Sequence, residues 1–181
     1  GVDQWETSHK VSGHAKFIDA HTVEVNGQSY QAKSFIVAVG SRPNIDETLK
    51  QKLKDKFITS NEIFEFSQLP KSLAVIGSGI IAIELAQAMQ RLGVKTTMFA
   101  RSQKVGALTS PVLQKLAQEQ LSKELNIKFK NLPDEVGIQA DKIKINFTEN
   151  DQTESIEVDY ILGATGRQSN IDRLGLDQLN S

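Results

Sequence analysis

Small residues at a fixed spacing are the strongest chemical signal in this chain, with Gly77, Gly79 and Ala82 in the segment VIGSGIIAI. Glycine at the first place permits a tight turn. Glycine at the second lets the backbone approach a diphosphate, whose charge rests on the unpaired N–H groups of a helix start. Alanine at the third place still allows the helix to pack closely on the strand. The pattern predicts a dinucleotide-binding turn formed by Gly77, Ser78, Gly79, Ile80 and Ile81.

The segments on either side of this turn follow the order that it requires. The apolar run Leu73 to Ile76 precedes it, and a helical pattern runs from Ile80 to Leu92. The helix stops at Gly93, and a second strand-like run covers Thr96 to Ala100. Strand, glycine turn, helix and strand form half of a dinucleotide-binding βαβ unit. A plain packing turn is the alternative, but both strands stand at the required spacing.

Composition limits the classes of function. The 181 residues are 39% hydrophobic and 24% charged, which is typical of a globular protein. The net charge of -1 gives no reason to expect nucleic acid or an anionic membrane as a partner. No apolar run reaches the roughly 18 residues of a membrane span and no signal peptide is evident, so we expect a cytoplasmic protein.

Redox and metal chemistry are restricted by residue type. The chain has no cysteine, so any redox chemistry must come from a cofactor or from segments outside it. Its three histidines, His9, His14 and His21, have neither ligand spacing nor a carboxylate cluster, and we expect no metal site. No catalytic residue is assigned.

The N-terminal third reads as short strands. Asn26-Gly27 after an alternating run predicts a hairpin turn. The continuous apolar run Phe35 to Val39 predicts a buried strand that ends at Gly40. The polar, lysine-rich segment Ile45 to Asn61 predicts a linker, with a domain boundary near residue 45, and a short helix is expected over Glu62 to Ser67.

The C-terminal half predicts one more helix and several strands. Pro111 favours a helix over Val112 to Leu125 with an apolar face, followed by a third parallel strand over Asn126 to Lys130. Residues 134–149 and 153–158 predict a β-meander, with Asn150-Asp151 in a turn. The apolar strand Tyr160 to Gly163 then ends in a small-residue turn that repeats the earlier pattern around Gly40.

Four segments together resemble consecutive landmarks of the FAD-dependent pyridine nucleotide-disulfide oxidoreductases: FIVAVGSRPNI, TSNEIFEFSQLPKSLAVIGSGIIAIELAQAMQRLGVK, DYILGATGR and NIDRLGLD. This family includes dihydrolipoamide dehydrogenase, glutathione reductase and mercuric reductase. The resemblance implies a Rossmann-like α/β fold with a parallel sheet, helices and a β-meander, flanked by strands of a split flavin domain. It implies a tail of the first flavin segment over 1–44, a nicotinamide-dinucleotide domain over 45–163 and a return toward the flavin domain over 164–181.

The resemblance also implies roles for individual residues. The turn at 77–81 is similar to the family's pyrophosphate loop, and Glu84 to the acidic residue beside the nicotinamide carboxamide. A solvated helix glutamate is the alternative for Glu84. Ala15 is similar to a position whose backbone meets the flavin adenine, although a plain strand alanine explains it as well. Gly40 ends the first of the two apolar strands that share the pattern of a strand followed by small residues. The second small-residue turn, which approaches the same dinucleotide, consists of Ala164, Thr165, Gly166 and Arg167.

The end of the second strand bears on the choice between NAD and NADP. NAD enzymes place a carboxylate there, whereas a nearby arginine accommodates the extra phosphate of NADP. Here Phe99 is followed by Ala100, Arg101 and Ser102. The arrangement resembles the NADP-using glutathione reductases, although Ala107 stands where they carry a second arginine. The alternative is that Arg101 is only a solvated loop charge. Because a guanidinium recognises phosphate by charge-assisted bonds, we expect NADPH to bind at least as tightly as NADH.

The resemblance implies an oxidoreductase that moves hydride and electrons between a nicotinamide, FAD and a disulfide, most similar to dihydrolipoamide dehydrogenase. An NADPH-dependent glutathione or mercuric reductase-like enzyme and a non-catalytic dinucleotide-binding module are the alternatives. The family's redox cysteines and its remaining FAD and dimer-interface domains are absent from the sequence. We therefore expect the chain alone to be colourless and inactive, and the full-length parent to be a homodimer.

Overall fold

The structure, a computed structural model, describes residues 6–180. These residues form two compact units. The first contains residues 6–42 and 168–180, and the second contains Pro43–Arg167. The chain therefore leaves the first unit once and returns to it once.

The first unit contains a three-stranded antiparallel sheet of β1 (Ala15–Asp19), β2 (Thr22–Val25) and β3 (Gln28–Gln31), in that order. Asn26 and Gly27 join β2 to β3 with φ angles of 53° and 79°. Positive φ at both central residues is what a type I′ turn requires. The predicted hairpin is confirmed.

The predicted buried strand over Phe35 to Val39 is wrong. These residues adopt no regular structure, and the side chain of Ile36 is 97% exposed. A continuous apolar run becomes a buried strand only between two neighbouring strands, and no described strand pairs with this one. The Phe35 ring packs edge-on against Phe17 at 5.1 Å, and the Val39 carbonyl accepts the Asn170 side-chain N–H at 2.9 Å.

The second unit is built on a five-stranded parallel sheet with the order β5-β12-β6-β7-β8. The parallel sheet, its helices and the meander confirm the predicted α/β fold class. The elements from residue 41 onward are β4 (Ser41–Pro43), α1 (Glu47–Leu53), β5 (Phe57–Ile58), β6 (Ser72–Ile76), α2 (Ile80–Arg91), β7 (Lys95–Ala100), α3 (Pro111–Glu124), β8 (Asn126–Phe129), β9 (Glu135–Gln139), β10 (Lys142–Glu149), β11 (Gln152–Val158), β12 (Tyr160–Gly163) and β13 (Arg167–Ser169).

Both faces of the parallel sheet are covered, because alternate residues of a strand point to opposite faces. Leu73 and Val75 of β6 pack with α2, whereas Ala74 and Ile76 pack with the meander. The meander is an antiparallel sheet of β9, β10 and β11, as the sequence predicts. The central strand β6 is therefore buried throughout, and the turn after it stands on a rigid base.

The predicted linker over Ile45 to Asn61 is wrong. The segment contains α1, whose Asp46 cap accepts the Leu49 backbone N–H at 3.0 Å. Leu53 is fully buried and packs with the meander cluster. Ile45, Leu49 and Leu53 are spaced four residues apart, a helical stripe that outweighs the surrounding lysines.

The helix α3 begins and ends within one residue of its predicted bounds and carries Pro111 at its start. Its predicted apolar face is only partly covered. Leu121 packs against the core, whereas Leu113 and Leu116 are 50% and 51% exposed. The third parallel strand is confirmed as β8, paired with β7. None of the described helices is both long and apolar enough for a bilayer crossing.

Candidate dinucleotide-binding site

A cavity of about 1210 Å³ lies in the second unit at the carboxyl ends of β6, β7 and β12. The strand β6 has β7 on one side and β12 on the other. A crevice between strands whose connections leave in opposite directions is where open α/β sheets bind ligands. The predicted site residues that line the cavity are Gly77, Ser78, Gly79, Ile80, Ile81, Arg101, Ala164, Thr165, Gly166 and Arg167.

The first glycine brings two turns into contact. Gly77 has a φ of 135°, and a β-carbon placed there would lie 2.2 Å from the Ala164 carbonyl oxygen. The Gly77 N–H donates to the Phe99 carbonyl at 2.9 Å, and the Ala164 N–H donates to the Ile76 carbonyl at 2.9 Å. A residue with a side chain at position 77 would be strained and would collide with the backbone.

The second glycine leaves the helix start open. Gly79 is extended, with φ -70° and ψ 172°, and caps α2 without a side-chain hydrogen bond. Nothing lies within 4 Å of a β-carbon built on it. The first N–H groups of a helix have no acceptor within the helix and favour an anion. The residues present therefore fit a diphosphate at Gly79, Ile80 and Ile81.

The second small-residue turn closes the opposite wall. The Asn44 N–H donates to the Gly166 carbonyl at 2.9 Å, and the Thr165 hydroxyl donates to the Asn44 carbonyl at 3.4 Å. Arg167 lies 3.5 Å from the Ser60 hydroxyl. These bonds join the entry and exit segments of the second unit, and all of these residues line the cavity.

Thr59, the residue before Ser60, is held by a local hydrogen-bonded turn. The Glu62 carboxylate accepts the Thr59 N–H at 2.7 Å and the Thr59 hydroxyl at 2.5 Å. Burial raises the pKa of Glu62, but the hydrogen bonds from Thr59 outweigh it, so the pKa lies below its ordinary value. The carboxylate is thereby ionised near neutral pH and fixes the start of the short helix Glu62–Glu65, in place of the predicted Glu62 to Ser67.

Arg101 follows directly after β7 and is exposed at the cavity. No residue within 6–180 forms an ion pair or hydrogen bond with its guanidinium. Ala100, the last residue of β7, is fully buried and carries no carboxylate. The strand end therefore presents the Arg101 cation where an NAD enzyme places a carboxylate. This guanidinium can bind a phosphate by charge-assisted hydrogen bonds.

Five predicted site residues lie outside the cavity lining. Glu84 is exposed on α2, one turn beyond its start, and Ala100 is buried under the strand end. The Ser102 hydroxyl accepts the Lys104 N–H at 3.2 Å. Ala15 and Gly40 belong to the first unit, where Ala15 pairs with Val25 and the Gly40 carbonyl accepts the Asn170 N–H at 3.2 Å.

Sequence reasoning missed the third wall of the cavity. It consists of the segment Pro43–Asp46, three residues of α1 and the stretch Leu132–Val136. The α1 residues are Thr48, Leu49 and Lys52. The apolar spacing of Ile45, Leu49 and Leu53 was a usable signal for α1, whereas the stretch after β8 carries no local motif.

The acidic side chains of this wall are already bonded within the protein. Asp134 accepts the Thr148 hydroxyl at 2.8 Å, and Glu135 accepts the Asn146 amide at 3.1 Å. Across residues 6–180 we find no group of three or more His, Asp or Glu side chains able to hold a metal ion. The arrangement can bind and orient a dinucleotide at the glycine turn.

Comparison with known proteins agrees with this geometry. Residues 4–180 match the family described as pyridine nucleotide-disulphide oxidoreductase. Mercuric reductase from Staphylococcus aureus is 35% identical over 168 residues, which are 92% of this chain and 30% of that protein. Dihydrolipoyl dehydrogenase from Geobacillus stearothermophilus is 33% identical over 174 residues, 93% of this chain and 37% of that protein.

A solved structure shares the fold. The HOCl-induced flavoprotein disulfide reductase RclA from Escherichia coli superposes with a TM-score of 0.74 at 18% identity, over 94% of this chain and 39% of that one. The chain belongs to the pyridine nucleotide-disulphide oxidoreductase family. It spans about a third of the length of the curated relatives named above.

Proposed function

We propose that the unit Pro43–Arg167 binds a nicotinamide dinucleotide, with the diphosphate on the backbone N–H groups at Gly79, Ile80 and Ile81. The observation that carries this proposal is the open start of α2 beside the contact of Gly77 with Ala164. Membership of a family with FAD and NAD(P) use supports it. When bound, the nicotinamide supplies a hydride donor or acceptor, and the residues of this chain bind and orient it.

The second small-residue turn is proposed to bind the same dinucleotide. Ala164, Thr165 and Gly166 line the cavity opposite the glycine turn, with Arg167 beside them. For Glu84, which the resemblance places near the carboxamide, the support is weaker because its side chain does not line the cavity. Ala15 and Gly40 belong to the first unit, and we assign them to the FAD of the longer parent rather than to this cavity.

NADPH is the coenzyme that the charge at the β7 end favours. Arg101 is exposed at the cavity and has no partner among the described residues. Ala100 offers no carboxylate to the ribose hydroxyls of NADH. A 2′-phosphate beside Arg101 would gain charge-assisted hydrogen bonds that NADH does not provide.

The parent protein is proposed to be a homodimeric flavin-dependent disulfide oxidoreductase in which this chain is the nicotinamide-binding middle. The 33% identity to a dihydrolipoyl dehydrogenase supports a member of that kind. The second candidate is an NADPH-dependent reductase similar to mercuric or glutathione reductase. The 35% identity to a mercuric reductase and the cation at Arg101 favour it. The chain has no cysteine, so the disulfide chemistry belongs to other segments of the parent.

Calorimetric titration of the purified chain with NADPH and NADH tests the proposal. Saturable binding of either coenzyme supports the site, and tighter binding of NADPH supports the reductase candidate. Clear preference for NADH favours the dihydrolipoyl dehydrogenase candidate. Absence of binding by both coenzymes overturns the site. The same preparation is expected to be colourless and to lack diaphorase activity.

A further inference from the structure

One side chain of α3 holds the loop between β7 and α3. The Gln114 amide oxygen accepts the Val105 N–H at 2.8 Å. The Gln114 amide nitrogen donates to the Val105 carbonyl at 3.2 Å and to the Leu108 carbonyl at 2.5 Å. Both backbone groups of Val105, which is buried, are therefore bonded to a single side chain.

The loop residue next to Val105 contacts the glycine turn. The Gly106 N–H donates to the Ser78 carbonyl at 2.9 Å, and Gly106 lines the cavity. Gly106 has a φ of 57°, in the left-handed region that favours glycine. A short path thus runs from Gln114 through Val105 and Gly106 to Ser78, which lies between the two glycines of the turn.

We propose that Gln114 is a positioning residue for the dinucleotide site. By fixing Val105, it holds the Gly106 N–H against the Ser78 carbonyl and keeps the 77–81 turn in the conformation that presents its N–H groups to a diphosphate. This inference rests on the proposed function. Glutamine suits the role because its amide has an acceptor and two donors, which match the N–H and C=O groups of a peptide.

A second glutamine of α3, Gln118, also binds the loop between β7 and α3, but at a different place. Gln118, one turn further along α3, donates a single bond to the Gln103 carbonyl at 2.6 Å. Gln103 lies three residues before Gly106, and no hydrogen bond found within residues 6–180 joins it to the glycine turn. The link to Ser78 therefore depends on Gln114 rather than on α3 as a whole.

The test compares Gln114→Met with Gln120→Met in the 181-residue chain. Methionine keeps the approximate volume of glutamine but forms none of its hydrogen bonds. Gln120 is exposed on the same helix, and its amide oxygen accepts a hydrogen bond from Lys123 at 3.1 Å. Kd values for NADPH and NADH are measured by calorimetry, below the melting temperature of every variant as determined by circular dichroism.

Gln114→Met is expected to raise the Kd of both coenzymes about fivefold and by the same factor, because the diphosphate is common to both. Gln120→Met should leave both values unchanged. A merely structural role would lower the melting temperature and leave Kd unaltered, and that result overturns the inference. Wild-type chain that binds neither coenzyme overturns the proposed function as well, so the two failures are distinguishable.

A second variant keeps the test available if Gln114→Met does not fold. Gln114→Glu retains an acceptor for the Val105 N–H, but its carboxylate cannot donate to the Val105 and Leu108 carbonyls. Weaker binding of both coenzymes by the same factor supports the inference. Unchanged Kd values overturn it.

Discussion

Gly77 and Ala164 meet backbone to backbone: a β-carbon on Gly77 would lie 2.2 Å from the Ala164 carbonyl oxygen. The turns that end β6 and β12 are therefore in contact at a place where no side chain fits. Since both turns line the same cavity, the shape of the candidate site depends on this contact.

Gly77→Ala is expected to lower the free energy of unfolding by about 2–3 kcal/mol, because the positive φ and the collision with Ala164 must both be relieved. Urea denaturation at neutral pH measures the change. A stability equal to that of the wild type would show that the two turns can separate without cost.

Gly79→Ala is the matched control, since Gly79 has a φ of -70° and nothing lies within 4 Å of the added carbon. Its free energy of unfolding should stay within about 0.5 kcal/mol of the wild type. Coenzyme binding should still weaken, because the new methyl group occupies the space assigned to the diphosphate. Unchanged affinity would place the diphosphate elsewhere.

Arg101→Ala is expected to raise the Kd of NADPH about tenfold and to leave that of NADH unchanged, through loss of the charge-assisted bonds to the 2′-phosphate. Lys95→Ala is the control, because Lys95 is an exposed cation at the opposite end of β7. Calorimetric titration of both variants with both coenzymes gives the comparison. If Arg101→Ala affects NADPH and NADH equally, the charge does not discriminate between them.

Asp159 joins the starts of β6 and β12. Its carboxylate accepts the Ser72 N–H at 2.8 Å and the Ser72 hydroxyl at 3.1 Å, and Lys142 lies 3.3 Å away. Burial raises the pKa of Asp159, but the bonds from Ser72 and Lys142 outweigh it and hold the pKa below its ordinary value of 3.8. The stabilisation is therefore present above pH 3.8 and is lost as the pH falls through the lower value in the folded state.

Asp159→Asn should accordingly lower the free energy of unfolding by about 1–2 kcal/mol at neutral pH, in the range for hydrogen bonds to a charged group. The difference from the wild type should shrink as the pH falls below 3.8 and through the lower pKa of the folded state, where the wild-type carboxyl also loses its charge. Urea denaturation across this range measures it. A difference that stays constant with pH would mean that ionisation of Asp159 contributes nothing.

Leu53→Ala tests whether α1 is part of the core. Leu53 is fully buried against the meander, and its truncation is expected to cost about 2–4 kcal/mol of unfolding free energy. Gln51→Ala, on the exposed side of the same helix, should change stability by less than about 0.5 kcal/mol. If the two substitutions change the free energy of unfolding equally in urea denaturation, α1 is not part of the core and the segment is a linker.

Local patterns were sufficient for much of the fold. The turn at 77–81 and the Asn26-Gly27 hairpin both require positive φ angles, which glycine and asparagine adopt far more readily than other residues. The sequence therefore predicts both turns directly. The βαβ order and the meander likewise follow from periodicity.

The errors arose where tertiary partners decide the outcome. The run Phe35 to Val39 is apolar enough for a buried strand, but no described strand pairs with it. Conversely, α1 is lysine-rich yet ordered, because two leucines meet the meander. The cavity wall at Leu132–Val136 lies beside the glycine turn only because the chain folds back over many residues. This stretch carries no local motif from which its position could be predicted.

The most direct measurement is a crystal structure of the chain with NADPH bound. The diphosphate should lie within about 3 Å of the backbone N–H groups of Gly79, Ile80 and Ile81, with the 2′-phosphate beside Arg101. A glycine turn that stays empty and closed against its neighbours, or a coenzyme bound at another surface, would contradict the assignment of this cavity to a nicotinamide dinucleotide.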